Sequence, residues 1–179
     1  MKLLIVYATT DGQTRKVARF CADRIAASGH TVELLNVEDA EGLDLTRFEG
    51  AILAGSLHAG GFQKPLAAFA KAQAEGLAKL PTLFLPVSLS AAGDDLEDWA
   101  GLKTCVERFL AEAAWVPGQV THVAGAFRFT QYDFFRSWAM KRIADAKGEV
   151  VDTHADKEYT DWDALGHALD GWVAGLAQG

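Results

Sequence analysis

A chain of 179 residues, half of them hydrophobic, is long enough to enclose a sizeable core, and it is read as a single domain over 1–179. Its formal net charge of −7 argues against general nucleic-acid binding, so no nucleic-acid partner is expected. No apolar stretch approaches the roughly 20 residues of a membrane span, and the apolar run after Met1-Lys2 is too short for a secretory leader, which predicts a cytoplasmic protein.

In chain order, Leu3-Leu4-Ile5-Val6-Tyr7-Ala8 predicts a first strand that breaks into the small polar residues Thr9-Thr10-Asp11-Gly12-Gln13-Thr14. Val17, Phe20, Cys21 and Ile25 then share one helical face, which ends at Ser28-Gly29. A second strand is expected at 31–35, an acidic solvated connection at 38–44 and a short buried strand at 50–55. Pro65 suits the first turn of a helix that turns Leu66, Phe69 and Ala70 inward. The apolar content of 82–88 predicts a fourth strand, although Pro86 removes a ladder bond from it. A loop over 89–101 leads into a helix with the stripe Leu102, Val106, Phe109 and Leu110, and a fifth strand follows at 120–125.

Two helical patterns remain, around 135–146 and over 161–177. The second places Trp162, Leu165, Leu169, Trp172, Val173 and Leu176 on one face as core residues, with Thr160 as cap and Asp163 in the reciprocal position. Strand and helix alternate throughout. That pattern implies right-handed crossovers and an α/β three-layer sandwich, a five-stranded parallel sheet of order 2-1-3-4-5 with helices on both faces. Cys21 and Cys105 fall on helices on opposite sides of such a sheet, and both are expected to be buried free thiols. No histidine or cysteine cluster has metal-ligand spacing, so no metal is expected.

The first loop carries the chemistry. A strand–loop–helix turn aims backbone N–H groups and a helix dipole at one point, and Thr9, Thr10, Gln13 and Thr14 add side-chain donors around it. It lacks the lysine of a Walker A loop and has only Gly12 where a dinucleotide fingerprint needs three glycines. Neutral donors without a cation favour a single phosphate monoester over a di- or triphosphate. The bland alternative is an ordinary hydroxyl-rich helix cap. The spacing Thr9-x-x-Gly12-x-Thr14 resembles the FMN phosphate loop of flavodoxins. A phosphorelay receiver would instead need acids after strand one and an aspartate ending strand three, where this chain has Tyr7-Ala8-Thr9 and Gly55-Ser56.

A flavin ring also needs backbone donors and acceptors along its edge and an apolar wall over its face. Ser56, Leu57, His58, Ala59 and Gly60 form a second loop able to line one edge, with His58 or Phe62 as stacking candidates. Leu89, Ser90, Ala91 and Ala92 form a third loop near the other edge. A flexible Gly-Gly turn is the competing reading of the second loop.

Thr10-Asp11-Gly12-Gln13-Thr14-Arg15, Ala124-Gly125-Ala126-Phe127-Arg128, Gly148-Glu149 with Asp152-Thr153, and Tyr159-Thr160-Asp161-Trp162 together resemble the menaquinone-dependent protoporphyrinogen IX dehydrogenase family. That resemblance implies a non-covalent FMN on residues 9–14, hydride removal from a porphyrinogen, and reoxidation by a quinone at the inner face of the cytoplasmic membrane. It nominates no side chain as general acid or base. Aromatics and cations interleave from Phe127 to Arg142, and Arg128 and Arg136 are candidate partners for substrate propionates; an ordinary amphipathic helix is the alternative. In members of this family that work at the membrane, the stretch matching 91–101 tends to be basic. Here it holds Asp94, Asp95, Glu97 and Asp98, read as a solvated face unsuited to an anionic bilayer. Three functions follow: an FMN-dependent protoporphyrinogen oxidoreductase, a flavodoxin-like electron carrier or flavin reductase with a soluble partner, and an interaction domain on the same scaffold.

Overall fold

The computed structural model describes residues 1–127 and 157–177. The helical pattern expected around 135–146, together with Arg128 and Arg136, lies outside the described residues.

The first half of the chain folds where its apolar runs place it. Strand β1 (Lys2–Ala8) runs into helix α1 (Gln13–Ala27), then β2 (Thr31–Asn36), β3 (Gly50–Ser56), α2 (Lys64–Ala72), the short α3 (Ala74–Leu77) and β4 (Thr82–Ser88). Helix α1 ends on Ser28 and Gly29, whose φ of 84° only glycine adopts without strain. The acidic connection between β2 and β3 contains two 3₁₀ turns, Val37–Asp39 and Leu45–Arg47, capped by the side chains of Asn36 and Asp44.

The parallel sheet has the order β2-β1-β3-β4-β5, as expected, but its far edge is made by two short strands in place of one. Strands β5 (Gln119–Val120) and β6 (Val123–Ala124) both pair with β4. The cause lies in Pro86. The carbonyls of Phe84 and Ser88 accept from Thr121 and Gly125, each at 2.9 Å, whereas Val87 faces β3 and accepts from Leu57 at 2.8 Å. Alternation puts Pro86 on the same side as Phe84 and Ser88, where its ring has no N–H to give. The ladder breaks opposite that position, so the single strand expected at 120–125 becomes two.

Helix α4 (Leu96–Ala113) begins within the stretch expected to be loop. Asp95 caps it by accepting from the amides of Glu97 at 2.9 Å and Asp98 at 3.0 Å, and Glu97 and Asp98 sit in its first turn, where the helix dipole favours negative charge. A two-stranded antiparallel pair, β7 (Ala126–Phe127) with β8 (Lys157–Glu158), precedes the last helix, α5 (Trp162–Leu176). Its cap is Asp161, which accepts from Ala164, and Thr160 is used elsewhere.

Side chains alternate across the sheet into two cores. Leu4, Val6, Leu53 and Phe84 pack against α2 and α4, while Leu3, Ile5, Ile52 and Leu85 pack against α1 and α5. Each fully buried side chain of this kind contributes about 1.5–3 kcal/mol. Cys21 and Cys105 therefore lie on opposite faces, both free. Burial pushes the Cys21 thiol up to about 12, which leaves it inert. Cys105 is only half-buried, because it sits at the edge of the α4 stripe with its Sγ 3.5 Å from the Gly60 carbonyl.

Gly55 ends the buried part of β3 directly under the second loop. A Cβ there would stand 2.6 Å from Leu66 Cδ2 and 3.1 Å from Phe62 Cδ1. Gly55→Ala is expected to lower unfolding stability by about 1–3 kcal/mol through overpacking, as read by urea denaturation.

Candidate functional site

The loops after β1, β3 and β4 all emerge at the carboxyl ends of parallel strands, where open α/β sheets hold ligands. The first loop is drawn tight by Thr9, whose Oγ1 accepts from the Gly12 amide at 2.9 Å. Gly12 adopts φ 90° at the helix start. Unlike α4 and α5, α1 has no side-chain cap and no acid in its first turn, so its leading amides stay available. Thr14 lies in that turn at 0% exposure, and its hydroxyl has no hydrogen-bond partner among the described residues. A buried hydroxyl without a partner destabilises the chain unless a ligand engages it. Uncapped amides, an orphaned hydroxyl and the absence of a first-turn carboxylate form a donor set that fits a phosphate monoester.

Thr10 and Gln13 in the first loop are engaged by the protein itself. Thr10 Oγ1 accepts from the Gln63 amide at 2.9 Å. Gln13, read from the sequence as a side-chain donor in the loop, instead directs its amide at Glu158 (3.1 Å) and Thr160 (2.9 Å). Thr160 donates in turn to the Ala124 carbonyl at 2.6 Å, and the Tyr159 amide donates to Gly125 at 3.0 Å. The returning segment thus stitches the end of β6 to the flank of the first loop.

Glu158 is the hub of that seam. Partial burial raises its pKa, but donors from Lys16, Trp162 and Gln13 outweigh it and hold the carboxyl below the ordinary glutamate range. Its contribution to stability is therefore present above the unfolded-state pKa and is lost as pH falls through the lower folded value. Lys16→Met is expected to move the Glu158 titration upward in a carboxyl-detected NMR experiment, because the Lys16 ammonium is one of the donors that hold the carboxyl down.

The second loop is a two-residue turn. His58 and Gly61 exchange backbone bonds at 2.9 and 3.0 Å, with Ala59 and Gly60 at φ 48° and 79° between them, the signature of a type I′ turn. The Arg108 guanidinium donates to the Gly60 carbonyl and holds this turn on α4. Phe62, a stacking candidate from the sequence, points inward and packs on Phe109 at 4.9 Å and Phe84 at 5.6 Å. The third loop contains the 3₁₀ turn Ser90–Ala92, in which Ser88 Oγ accepts from Ala91 at 3.2 Å. Trp99 anchors it by donating to the Gly93 carbonyl at 2.6 Å and rests edge-on against His122 at 5.2 Å. Burial, then Lys103, holds His122 below the ordinary histidine range, so the ring is neutral at pH 7.

Sequence reasoning missed Gln63, Glu158 and Arg108. Each acts through a long side chain on a loop far away in sequence, and no local pattern marks such a reach.

Residues 4–154 match the family model for the flavodoxin domain. The chain belongs to the flavodoxin domain family. Over 165 residues it is 27% identical to the protoporphyrinogen IX dehydrogenase (quinone) of Escherichia coli strain K12, covering 92% of this chain and 91% of that relative. The protein of the same name from Leishmania major is also 27% identical over 165 residues, with 92% of this chain and 71% of that relative covered. Among solved structures, oxidised flavodoxin 1 from Bacillus cereus superposes with a TM-score of 0.56 at 14% identity, over 97% of this chain and 98% of that one. That likeness concerns the fold, and it agrees with the sheet order expected from sequence. The resemblance drawn from the loop motifs is matched by these relatives. No helix among the described residues is long and apolar enough to cross a membrane.

Proposed function

We propose that this chain, as a single flavodoxin-like domain, is an FMN-dependent oxidoreductase that takes hydride from a porphyrinogen and passes the electrons to a quinone. The observation that carries the reading is the uncapped start of α1 with the orphaned, buried Thr14 hydroxyl beside it. Two relatives named protoporphyrinogen IX dehydrogenase (quinone), aligned over 92% of the chain, supply the reaction class.

Residues Thr9 to Thr14 hold the phosphate through backbone amides and the Thr14 hydroxyl. Ser56, Leu57, His58, Ala59 and Gly60 line one edge of the ring, and Leu89, Ser90, Ala91 and Ala92 lie near the other. FMN, when bound, supplies a two-electron hydride acceptor that a quinone can reoxidise. The protein's part is to orient that ring: Arg108 fixes the second loop, Trp99 fixes the third, and Gln63 links the first loop to the second. Arg128 and Arg136 are assigned to the substrate propionates. The protein works in the cytoplasm, at the inner face of the membrane when its acceptor is lipid-soluble.

The deciding experiment is an absorbance spectrum of the purified protein after FMN addition and desalting, followed by anaerobic mixing with protoporphyrinogen IX and a menaquinone analogue. Retained flavin and porphyrin fluorescence that appears only with both reactants support the reading. Retained flavin with no porphyrin formed would reject the substrate. A second reading, electron transfer with a soluble partner, is favoured by the acids Asp94, Asp95, Glu97 and Asp98 at the start of α4, which follow the third loop. Reduction or oxidation by a basic soluble protein that slows steeply with added salt would favour it.

A further inference from the structure

Gln63 stands between the loops assigned to phosphate and ring. It is the residue just before α2, held extended at φ −62° and ψ 129°. Its amide nitrogen has two hydrogens and two hydroxyl oxygens to receive them, Thr10 Oγ1 at 2.9 Å in the first loop and Ser56 Oγ at the end of β3. The amide oxygen is buried without a partner among the described residues, at 3.8 Å from where a Cβ on Gly55 would stand. Turning the amide over would strand two N–H groups in place of one carbonyl, so the orientation described is the more favourable.

A hydroxyl owns one hydrogen. Because Thr10 and Ser56 each accept from Gln63, each keeps its own hydrogen for a different acceptor. The geometry points to Gln63 as a positioning and specificity-determining residue: it clamps the first loop to the second and turns two hydroxyls into donors suited to an acceptor-rich ligand, above all a phosphate ester. The inference rests on the FMN reading and deepens it. A carboxylate at the same place would reverse the polarity, since both hydroxyls would donate to it, leaving Thr10 to present lone pairs to the phosphate and Ser56 to present them to the ring edge.

The test is calorimetric titration of FMN, riboflavin and inorganic phosphate into wild-type protein, Gln63→Met and Gln63→Glu. Methionine keeps the length of the side chain and removes its donors, so FMN is expected to bind about tenfold more weakly while riboflavin changes about two- to threefold. The glutamate variant should lose about a hundredfold or more for FMN, so that the preference for FMN over riboflavin falls in the order Gln, Met, Glu. An unchanged preference in both variants overturns the donor role. A second measurement needs no ligand: thermal stabilities of Gln63→Met, Thr10→Val and the double variant, where the clamp predicts non-additive effects and additivity overturns it. Wild-type protein that takes up no FMN, yet shows the non-additive cycle, would overturn the functional reading and the donor role while keeping the clamp.

Discussion

Thr14→Val is expected to make the cofactor-free protein more stable and to weaken FMN binding at the same time. The Thr14 hydroxyl is fully buried in the first turn of α1 and has no partner among the described residues, so the chain carries an unsatisfied polar group. Valine matches the shape and removes that group, which is expected to raise the unfolding free energy of the empty protein by about 1 kcal/mol. A hydrogen bond to a charged phosphate is worth about 1.5–3 kcal/mol, so FMN should bind about 10- to 150-fold more weakly. Riboflavin lacks the phosphate and should be nearly unaffected. The opposite signs make the result hard to mimic, because a merely damaged core would lower both stability and affinity. Melting temperature of the empty protein and FMN fluorescence titration read the two effects; a variant less stable than wild type, or one that binds FMN normally, would remove Thr14 from the site.

The strands that build this site were legible because each is a continuous apolar run closed by glycine or small polar residues. β1, β3 and β4 are buried on both faces, as a parallel sheet requires, and their bounds fall within a residue of the expected ones. The far edge was less legible. Pro86 stands in β4, but its effect falls on the neighbouring chain, where the ladder lapses between Val120 and Val123. Charge alone reads the acids at 94–98 as a solvated face, yet Asp95 is a cap and Glu97 and Asp98 suit a helix start. At the site, loop positions followed from strand ends, whereas side-chain duties did not. Gln13 reaches Glu158 across 145 positions and Gln63 reaches Thr10 across 53, distances at which no local pattern speaks. An orphaned buried hydroxyl such as that of Thr14 is likewise visible only once the turn around it is closed.

Phe84→Ala is expected to have the largest effect on stability, and its consequence should extend to the second loop. Phe84 is fully buried at the centre of β4, stacked on Phe109 at 5.1 Å, with Phe62 and Trp115 each at 5.6 Å. Removing a ring from such a cluster leaves a cavity that costs about 3–5 kcal/mol. Against a total stability of about 5–15 kcal/mol, that is a large share. Phe62 closes the stretch from Ser56 to Gly60 and, among the described residues, its ring contacts are Phe84 and Phe109, so losing Phe84 removes one of the two and the loop should loosen before the sheet does. FMN affinity measured in the folded variant should therefore fall, even though Phe84 is buried beneath the loop and lines no part of the ring edge. Phe84→Leu fills most of the space and is expected to cost about 1–2 kcal/mol with affinity largely kept. Urea denaturation with and without FMN separates the cases: a loss below about 2 kcal/mol for the alanine variant would mean that the cluster repacks. Undiminished FMN affinity in that variant would mean that the second loop is held by Arg108 and its own turn, and not by the aromatic core beneath it.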